Sequence, residues 1–171
     1  MKREVIEIVL SMHDMQVEVF RHCYYIGVSR REGGAPVKLA TAIQPSIDDR
    51  QQIEKHIMAG IDEVIRLISR YFSHCNRAVN DDENNKGYQV VKLTATPPHN
   101  FPSGLNDTLR NTVERYIVMR AVNLWLQQTM PDEAVIPAAE TEKAANELRE
   151  LMVCRRSPRR ENNKPNTNIV I

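Results

Sequence analysis

Residues 46–72 read SIDDRQQIEKHIMAGIDEVIRLISRYF and contain the strongest helical pattern in the chain. Ser46, followed three residues later by Asp49, is typical of a capped helix start. The apolar side chains that follow recur at every third or fourth position, as on one face of a helix: Ile53, Ile57, Ile61, Val64, Ile65, Ile68 and Phe72. We predict an amphipathic helix that continues to about His74 and buries this stripe in a helical core.

A strand and another helix are predicted before this segment. The β-branched run at residues 5–10 favours a strand. Ser11 and Asp14 then form a second capping pair, followed by apolar residues at helical spacing that end near Gly27. Val17 and Val19 also alternate with polar neighbours, which leaves a strand open as the alternative.

Two irregular segments interrupt the predicted elements. Residues 30–45 contain two glycines and two prolines with few periodic apolar positions, and we predict a loop or arm there. Residues 80–87 are almost entirely polar and predict an exposed loop. The next run, residues 88–96, is rich in β-branched residues and predicts a strand that pairs with residues 5–10 in a small two-stranded sheet.

Two further helices are predicted in the second half. Apolar residues at helical spacing mark the first of them: Leu105, Leu109, Val113, Tyr116, Ile117, Ala121, Leu124 and Trp125. Residues 116–126 are apolar nearly all round, so this part is either central to the core or shared with a neighbouring molecule. Pro131 ends the pattern, and a last helix begins at about Pro137.

These elements predict a mainly α (α+β) fold, a helical bundle with a small two-stranded β element. We expect one helical domain over residues 1–160, with residues 30–45 as a loop or arm, and an extended tail over residues 161–171. The tail region is basic: residues 155–171 contain five Lys or Arg against one acidic residue, whereas residues 101–154 contain five against eight.

Composition argues against several classes of protein. No apolar run is long enough to cross a bilayer, and Glu7 interrupts any signal-peptide core, so we expect neither membrane insertion nor export. The three cysteines stand singly, which favours packed thiols over a disulfide framework or a zinc site. There is no phosphate-binding glycine loop and no pattern of nucleophile and base, so we expect no enzyme activity, cofactor or metal.

Two features near the end of the sequence point to partners. The cluster Arg155, Arg156, Arg159 and Arg160 fits contact with nucleic acid phosphates or an acidic protein surface, or else a solubilising segment after a helix end. The apolar triplet Ile169, Val170 and Ile171 fits a segment that adds a strand to a neighbouring subunit.

Taken in order, residues 46–160 resemble the neck proteins of tailed bacteriophages, the head–tail connector or adaptor family. The resemblance is a pattern of elements: a long amphipathic helix, a Trp-bearing apolar helix with NLWL at residues 123–126, a break with MPDEA at residues 130–134, and a last helix closing with LRELMVCRRSPRR at residues 148–160. It implies a structural virion protein made in the host cytoplasm. Such a protein forms a homo-oligomeric ring, expected to be twelve-fold, that binds portal and tail or other neck proteins around DNA without reading its sequence.

On this interpretation the subunit and partner contacts are made by ten residues: Tyr116, Met119, Trp125, Arg155, Arg156, Arg159, Arg160, Ile169, Val170 and Ile171. The alternative is a DNA-binding regulator of helix-turn-helix type whose arginine cluster touches phosphate. The last two helices weaken that alternative because neither offers a basic recognition face.

Overall fold

A computed structural model describes residues 5–34, 43–81 and 89–155. Within these ranges the chain forms four long helices and three strands, which confirms a mainly helical fold with a small β element. In chain order they are β1 (Ile6–Ser11), α1 (Met12–Glu32), α2 (Arg50–Ile68), β2 (Ser73–Asp81), β3 (Gln89–Thr96), α3 (Asn106–Thr129) and α4 (Val135–Val153).

The three strands form one antiparallel sheet in the order β1-β3-β2. The first pairing runs from Ile6 opposite Ala95 to Ser11 opposite Val90, which confirms the pairing predicted for these two segments. Alternate residues of β1 and β3 are buried, as expected for a sheet with one face on a core: Ile6, Ile8, Leu10, Val91, Leu93 and Ala95. The sheet therefore covers one side of the helices.

The predictions for residues 69–81 are wrong. Helix α2 ends at Ile68 instead of continuing to His74, and β2 makes the sheet three-stranded instead of two-stranded. Strand β2 also takes in Asn80 and Asp81, which were predicted to lie in a loop. The side chains of β2 from Asn76 to Asn80 are exposed, because the strand is at the edge of the sheet, where backbone pairing with β3 can hold it without burial.

Helix α1 is longer than predicted and is helical throughout. The Ser11 hydroxyl accepts a hydrogen bond from the Asp14 backbone N–H at 3.3 Å, as a capped helix start requires. The helix continues to Glu32 and is followed by Gly34 at φ 86°, a conformation that favours glycine. Residues 30–32 of the predicted loop are thus helical, and residues 35–42 lie outside the described ranges.

Helix α3 lies at the centre of the core and contacts each of the other three helices. Its crossing with α2 is close: a Cβ added at Gly60 would lie 3.3 Å from the Ile117 Cα and carbonyl oxygen. Helix α4 packs against another side of α3 after the turn Pro131–Ala134. Enclosure by three helices explains why residues 116–126 are apolar nearly all round, so the first of the two alternatives holds for this segment.

Candidate assembly surface

Three of the residues predicted to make subunit contacts are buried within the single chain. Tyr116 and Met119 are each 6% exposed and Trp125 is 7% exposed. The Trp125 indole N–H donates a hydrogen bond to the Ile43 carbonyl oxygen at 2.9 Å, so the other end of the predicted loop at residues 30–45 is fixed in the core. Within the single chain, the apolar surface around Trp125 is covered by the chain's own helices and by Ile43.

Arg155 lies at the end of α4 and is exposed. Its guanidinium donates hydrogen bonds to the carbonyl oxygens of Met152 and Cys154, at 2.8 and 2.7 Å, and so satisfies acceptors that the helix end leaves unpaired. Six other predicted contact residues lie outside the described ranges: Arg156, Arg159, Arg160, Ile169, Val170 and Ile171.

An exposed apolar surface lies between α1 and α4, away from the predicted contact residues. Tyr25 of α1 and Ile136 of α4 are 61% and 65% exposed. Together with Ile26 they line a shallow cavity with a volume of about 280 Å³. The Tyr24 side chain is also largely exposed, and its ring contacts that of Tyr25 with the centroids 5.8 Å apart. We call Tyr24, Tyr25, Ile26 and Ile136 the α1/α4 patch.

The rim of the α1/α4 patch is polar. Arg30 and Glu133 form an ion pair of 2.7 Å there, and Ser29 completes the lining. A polar rim around exposed aromatic and aliphatic side chains is typical of a protein interface. A sequence signal could have pointed to this patch: Tyr24-Tyr25 and Val135-Ile136 are adjacent apolar pairs. Adjacent residues on a helix point about 100° apart, so a helix with one narrow buried face leaves at least one member of such a pair outside the core.

The edge of the sheet is a second surface open to a partner. From Asn76 to Asn80 the side chains of β2 are exposed, and Val79 is 42% exposed. Among the described residues no strand pairs with the outer edge of β2. Arg77 forms an ion pair with Asp62 of α2, which ties the base of the hairpin to the helical body. An open edge of this kind can accept an additional strand.

A charged groove of about 430 Å³ lies between α2, α3 and α4. At its centre the Glu63 carboxylate accepts hydrogen bonds from the Arg120 guanidinium, at 2.8 and 3.0 Å, and from the Tyr116 hydroxyl at 2.7 Å. Burial acts to raise the pKa of Glu63, but the hydrogen bonds and charge of Arg120 and the hydroxyl of Tyr116 outweigh it, and the pKa lies below its ordinary value of 4.5. A carboxylate held ionised in this way joins helices and is a poor general base.

The same groove contains an unpaired acceptor. The Oδ1 atom of Asn123 is buried and has no hydrogen-bond partner in the described part of the chain. Arg66, Arg70 and Arg149 lie around it on the groove wall. The groove therefore combines the ion pair of Glu63 and Arg120 with an unpaired amide oxygen and three further guanidinium groups.

The cysteines and histidines do not form a reactive centre in the described ranges. No group of three His, Cys, Asp or Glu side chains there is arranged to hold a metal ion. Cys23 is fully buried, and burial raises the pKa of its thiol to about 12, whereas Cys75 is half-buried and Cys154 is exposed. Burial also raises the pKa of the Cys75 thiol. A raised pKa leaves less thiolate at neutral pH, so neither Cys23 nor Cys75 is an activated nucleophile.

None of the helices in the described ranges combines the length and the apolar character needed to span a membrane. Comparison with protein families, with curated proteins and with solved structures finds no match to this chain.

Proposed function

We propose that this chain is a non-enzymatic structural subunit that assembles with copies of itself and with neighbouring proteins. The observation that carries the proposal is the α1/α4 patch. The described helices enclose α3, yet Tyr25 and Ile136 line the same concavity and are each more than half exposed. Clustered apolar side chains of this size on an otherwise closed molecule favour a protein partner.

Within that class we propose an adaptor-ring subunit of a tailed-phage neck, which joins portal and capsid to the tail around the DNA channel. The succession of an amphipathic helix, a central Trp-bearing helix and a closing Ala/Glu-rich helix supports this choice by its resemblance to that family. The open edge of β2 offers a second contact for a portal or tail protein.

The charges of the described helices support assembly more than DNA recognition. The outer face of α4 carries Glu140, Glu147 and Glu150 against one lysine, Lys143, and α3 is enclosed by other helices. A regulator of helix-turn-helix type needs a basic, accessible helix for the major groove. The assembly proposal makes no such demand on α3 or α4.

The decisive experiment is the composition of tailed particles made from the genome that encodes this chain. Quantitative mass spectrometry of purified particles should detect the chain at a fixed ratio to the portal protein, and cryo-electron microscopy should place it in a ring below the portal. Intact particles that lack the chain would overturn the neck assignment.

A filter-binding assay on the purified chain tests the regulator alternative. We expect weak binding to duplex DNA at physiological salt. Tight binding whose affinity falls steeply with salt concentration, as counterion release requires, would favour the regulator instead.

A further inference from the structure

We infer that the charged groove between α2, α3 and α4 is a binding site for a small phosphomonoester that also carries hydroxyl groups, as a sugar phosphate does. The inference goes beyond the assembly function and does not depend on it, because the groove and the α1/α4 patch share no residue. It follows from three features of the groove: its size, its excess of guanidinium groups, and one buried acceptor that lacks a donor.

The groove is formed by one face of each of three helices. Residues spaced three or four apart line it from α2 and from α3: Glu63, Arg66, Leu67 and Arg70, and then Tyr116, Arg120 and Asn123. Opposite α2, the α4 wall includes Ala138 and Ala145, whose small side chains leave room between the helices. The resulting volume of about 430 Å³ lies within the roughly 300–1,000 Å³ typical of small-molecule sites.

Positive charge is in excess along the groove. Its four arginines against its two glutamates, Glu63 and Glu142, leave a net charge of +2. Glu63 pairs with Arg120 and Glu142 pairs with Arg149, whereas Arg66 and Arg70 form no ion pair with any described residue. A phosphomonoester carries a charge of about −1.5 to −2 at pH 7, and its oxygens match the fork of a guanidinium group. The charge of the groove therefore suits one such ligand.

Two of these arginines are free to hold an anion. Arg66 and Arg70 are exposed and lie four residues apart on α2, where like charges repel each other. The Arg66 Nε–H donates to the Asp62 carbonyl oxygen at 3.3 Å, which leaves its two terminal nitrogens available. A phosphate group between the two guanidinium groups would accept from both and relieve their repulsion.

Asn123 adds a requirement that a bare anion does not meet. Its side chain is 4% exposed, and its Oδ1 atom has no hydrogen-bond donor in the described part of the chain. The nearest donors on the same face of α3, Tyr116 and Arg120, are directed to Glu63 instead. An unpaired buried acceptor is costly, so a ligand that brings an O–H or N–H group to this point gains a favourable contact.

The two requirements together select the class of ligand. Carboxylate side chains and the phosphodiesters of duplex DNA accept hydrogen bonds but donate none, so neither group can satisfy Asn123. A hydroxylated phosphomonoester meets both needs within one small molecule. Its phosphate faces the exposed Arg66 and Arg70, and a hydroxyl group donates to the buried Asn123.

Isothermal titration calorimetry of the full-length chain with ribose 5-phosphate tests the site. At low ionic strength and pH 8, where the phosphate is doubly ionised, we expect a dissociation constant of about 0.1–1 mM. Methyl phosphate has the anion without the hydroxyl groups and should bind at least about fivefold more weakly. Ribose has the hydroxyl groups without the anion and should give no measurable heat. Absence of ribose 5-phosphate binding, or equal affinity for the two phosphates, would overturn the inference.

Arg70→Gln tests the anion contact. The substitution removes one unpaired guanidinium group from an exposed position and should weaken ribose 5-phosphate binding at least about fivefold. Arg110→Gln is the matched control: it makes the same change of charge at an exposed position of α3 outside the groove and should change the affinity less than about twofold. Equal losses in both variants would mean that the overall charge of the chain, and not the groove, attracts the anion.

Asn123→Leu tests the acceptor through two measurements. Binding of ribose 5-phosphate should weaken at least about fivefold, while the urea midpoint of the free chain should stay unchanged or rise, because an unpaired acceptor is replaced by an apolar group of similar size. Asn106→Leu is the control, since Asn106 also has an unpaired buried amide oxygen but lies at the start of α3, outside the groove, and should keep the affinity within about twofold.

A lower urea midpoint with unchanged affinity in Asn123→Leu would give Asn123 a purely structural role and overturn the inference. The exposed position of Arg70 keeps the inference open to contradiction even where Asn123→Leu does not fold. Unchanged affinity in Arg70→Gln would by itself rule out the phosphate contact.

Discussion

Trp125 combines apolar packing with one hydrogen bond across a long sequence separation. Its ring is 7% exposed, and its indole N–H binds the carbonyl of Ile43 at 2.9 Å. A buried indole needs such a partner, because an unpaired donor in the core is costly. The residue therefore fastens the chain before α2 to the middle of the bundle.

Replacing Trp125 with Ala should lower the free energy of unfolding by about 3–5 kcal/mol, since a large buried ring is lost and a cavity remains. Urea denaturation followed by far-UV circular dichroism measures the change. Trp125→Phe is the matched control: it keeps most of the packing, loses the hydrogen bond to Ile43, and should cost about 1–3 kcal/mol. A wild-type midpoint for Trp125→Ala would contradict the burial of this residue.

Glu63 links stability to pH. Its pKa lies below 4.5 in the folded chain, so the unfolded chain binds the proton more readily. The stabilisation from its contacts is therefore fully present above about pH 4.5, and it is lost as the pH falls through the lower pKa of the folded state.

Glu63→Gln should destabilise the chain at pH 7 by about 1–2 kcal/mol, a value reduced for the partial exposure of the ion pair with Arg120. The difference from wild type should narrow as the pH falls below 4.5. Thermal unfolding at a series of pH values measures it, with Glu140→Gln on the exposed face of α4 as the control. A difference that stays constant from pH 7 down to pH 3 would argue against the charge network.

Gly60 allows helices α2 and α3 to cross at close distance. The missing side chain lets the Ile117 backbone approach, and an added Cβ would meet the Cα and carbonyl oxygen of Ile117 at 3.3 Å. Both atoms belong to the backbone of a buried helix and cannot move without the helix. The glycine is thus kept for packing, although alanine is the better helix former.

Gly60→Ala should lower the free energy of unfolding by about 1–2 kcal/mol, because overpacking at the helix crossing exceeds the gain in helix propensity. Gly104→Ala is the control, since an added Cβ there meets nothing within 4 Å, and it should be neutral or slightly stabilising. Chemical denaturation of both variants gives the comparison. A Gly60→Ala chain that is more stable than wild type would mean that the α3 backbone at Ile117 shifts to accommodate the added Cβ.

The helices and strands were predictable where one buried face repeats apolar residues at regular spacing along the sequence. The stripe of α2 and the alternation in β1 and β3 are of that kind, because each has one face on the core. Strand β2 was missed because it is an edge strand: its side chains from Asn76 to Asn80 are exposed on both faces, and its backbone hydrogen bonds to β3 leave no pattern in the residue types.

In the molecule as a whole, one apolar cluster joins the sheet to all four helices. Leu93 of β3, Val19 of α1, Ile57 of α2, Ile117 of α3 and Leu148 of α4 all belong to it and are at most 1% exposed. No described helix has a core of its own. Loss of any one element therefore exposes the others.

Such a core should unfold in a single cooperative step. Trp125 is the only tryptophan in the chain and lies in the cluster, so its fluorescence and the far-UV circular dichroism should give the same urea midpoint and slope. Two separated transitions would contradict the prediction that residues 1–160 form a single domain.

The sequence also showed that residues 116–126 are buried, but it could not show what buries them. Periodicity reports which side chains avoid water, whereas the identity of the covering surface depends on how α1, α2 and α4 pack. Trp125 was expected at an interface because the sequence did not show which surface covers it. The α1/α4 patch was overlooked for the converse reason: its members lie beside core residues in the sequence, and only the orientation of the two helices brings them together outside the core.

The three thiols differ in burial, so their rates of chemical modification probe three different parts of the chain. Cys154 lies exposed at the end of α4, Cys75 is half-buried at the base of the hairpin, and Cys23 is enclosed in the core. A maleimide reagent should modify them in that order, with Cys23 reacting only when the bundle opens. The rate at each thiol then reports separately on fraying of the last helix, detachment of the sheet edge and opening of the whole chain, without a substitution anywhere.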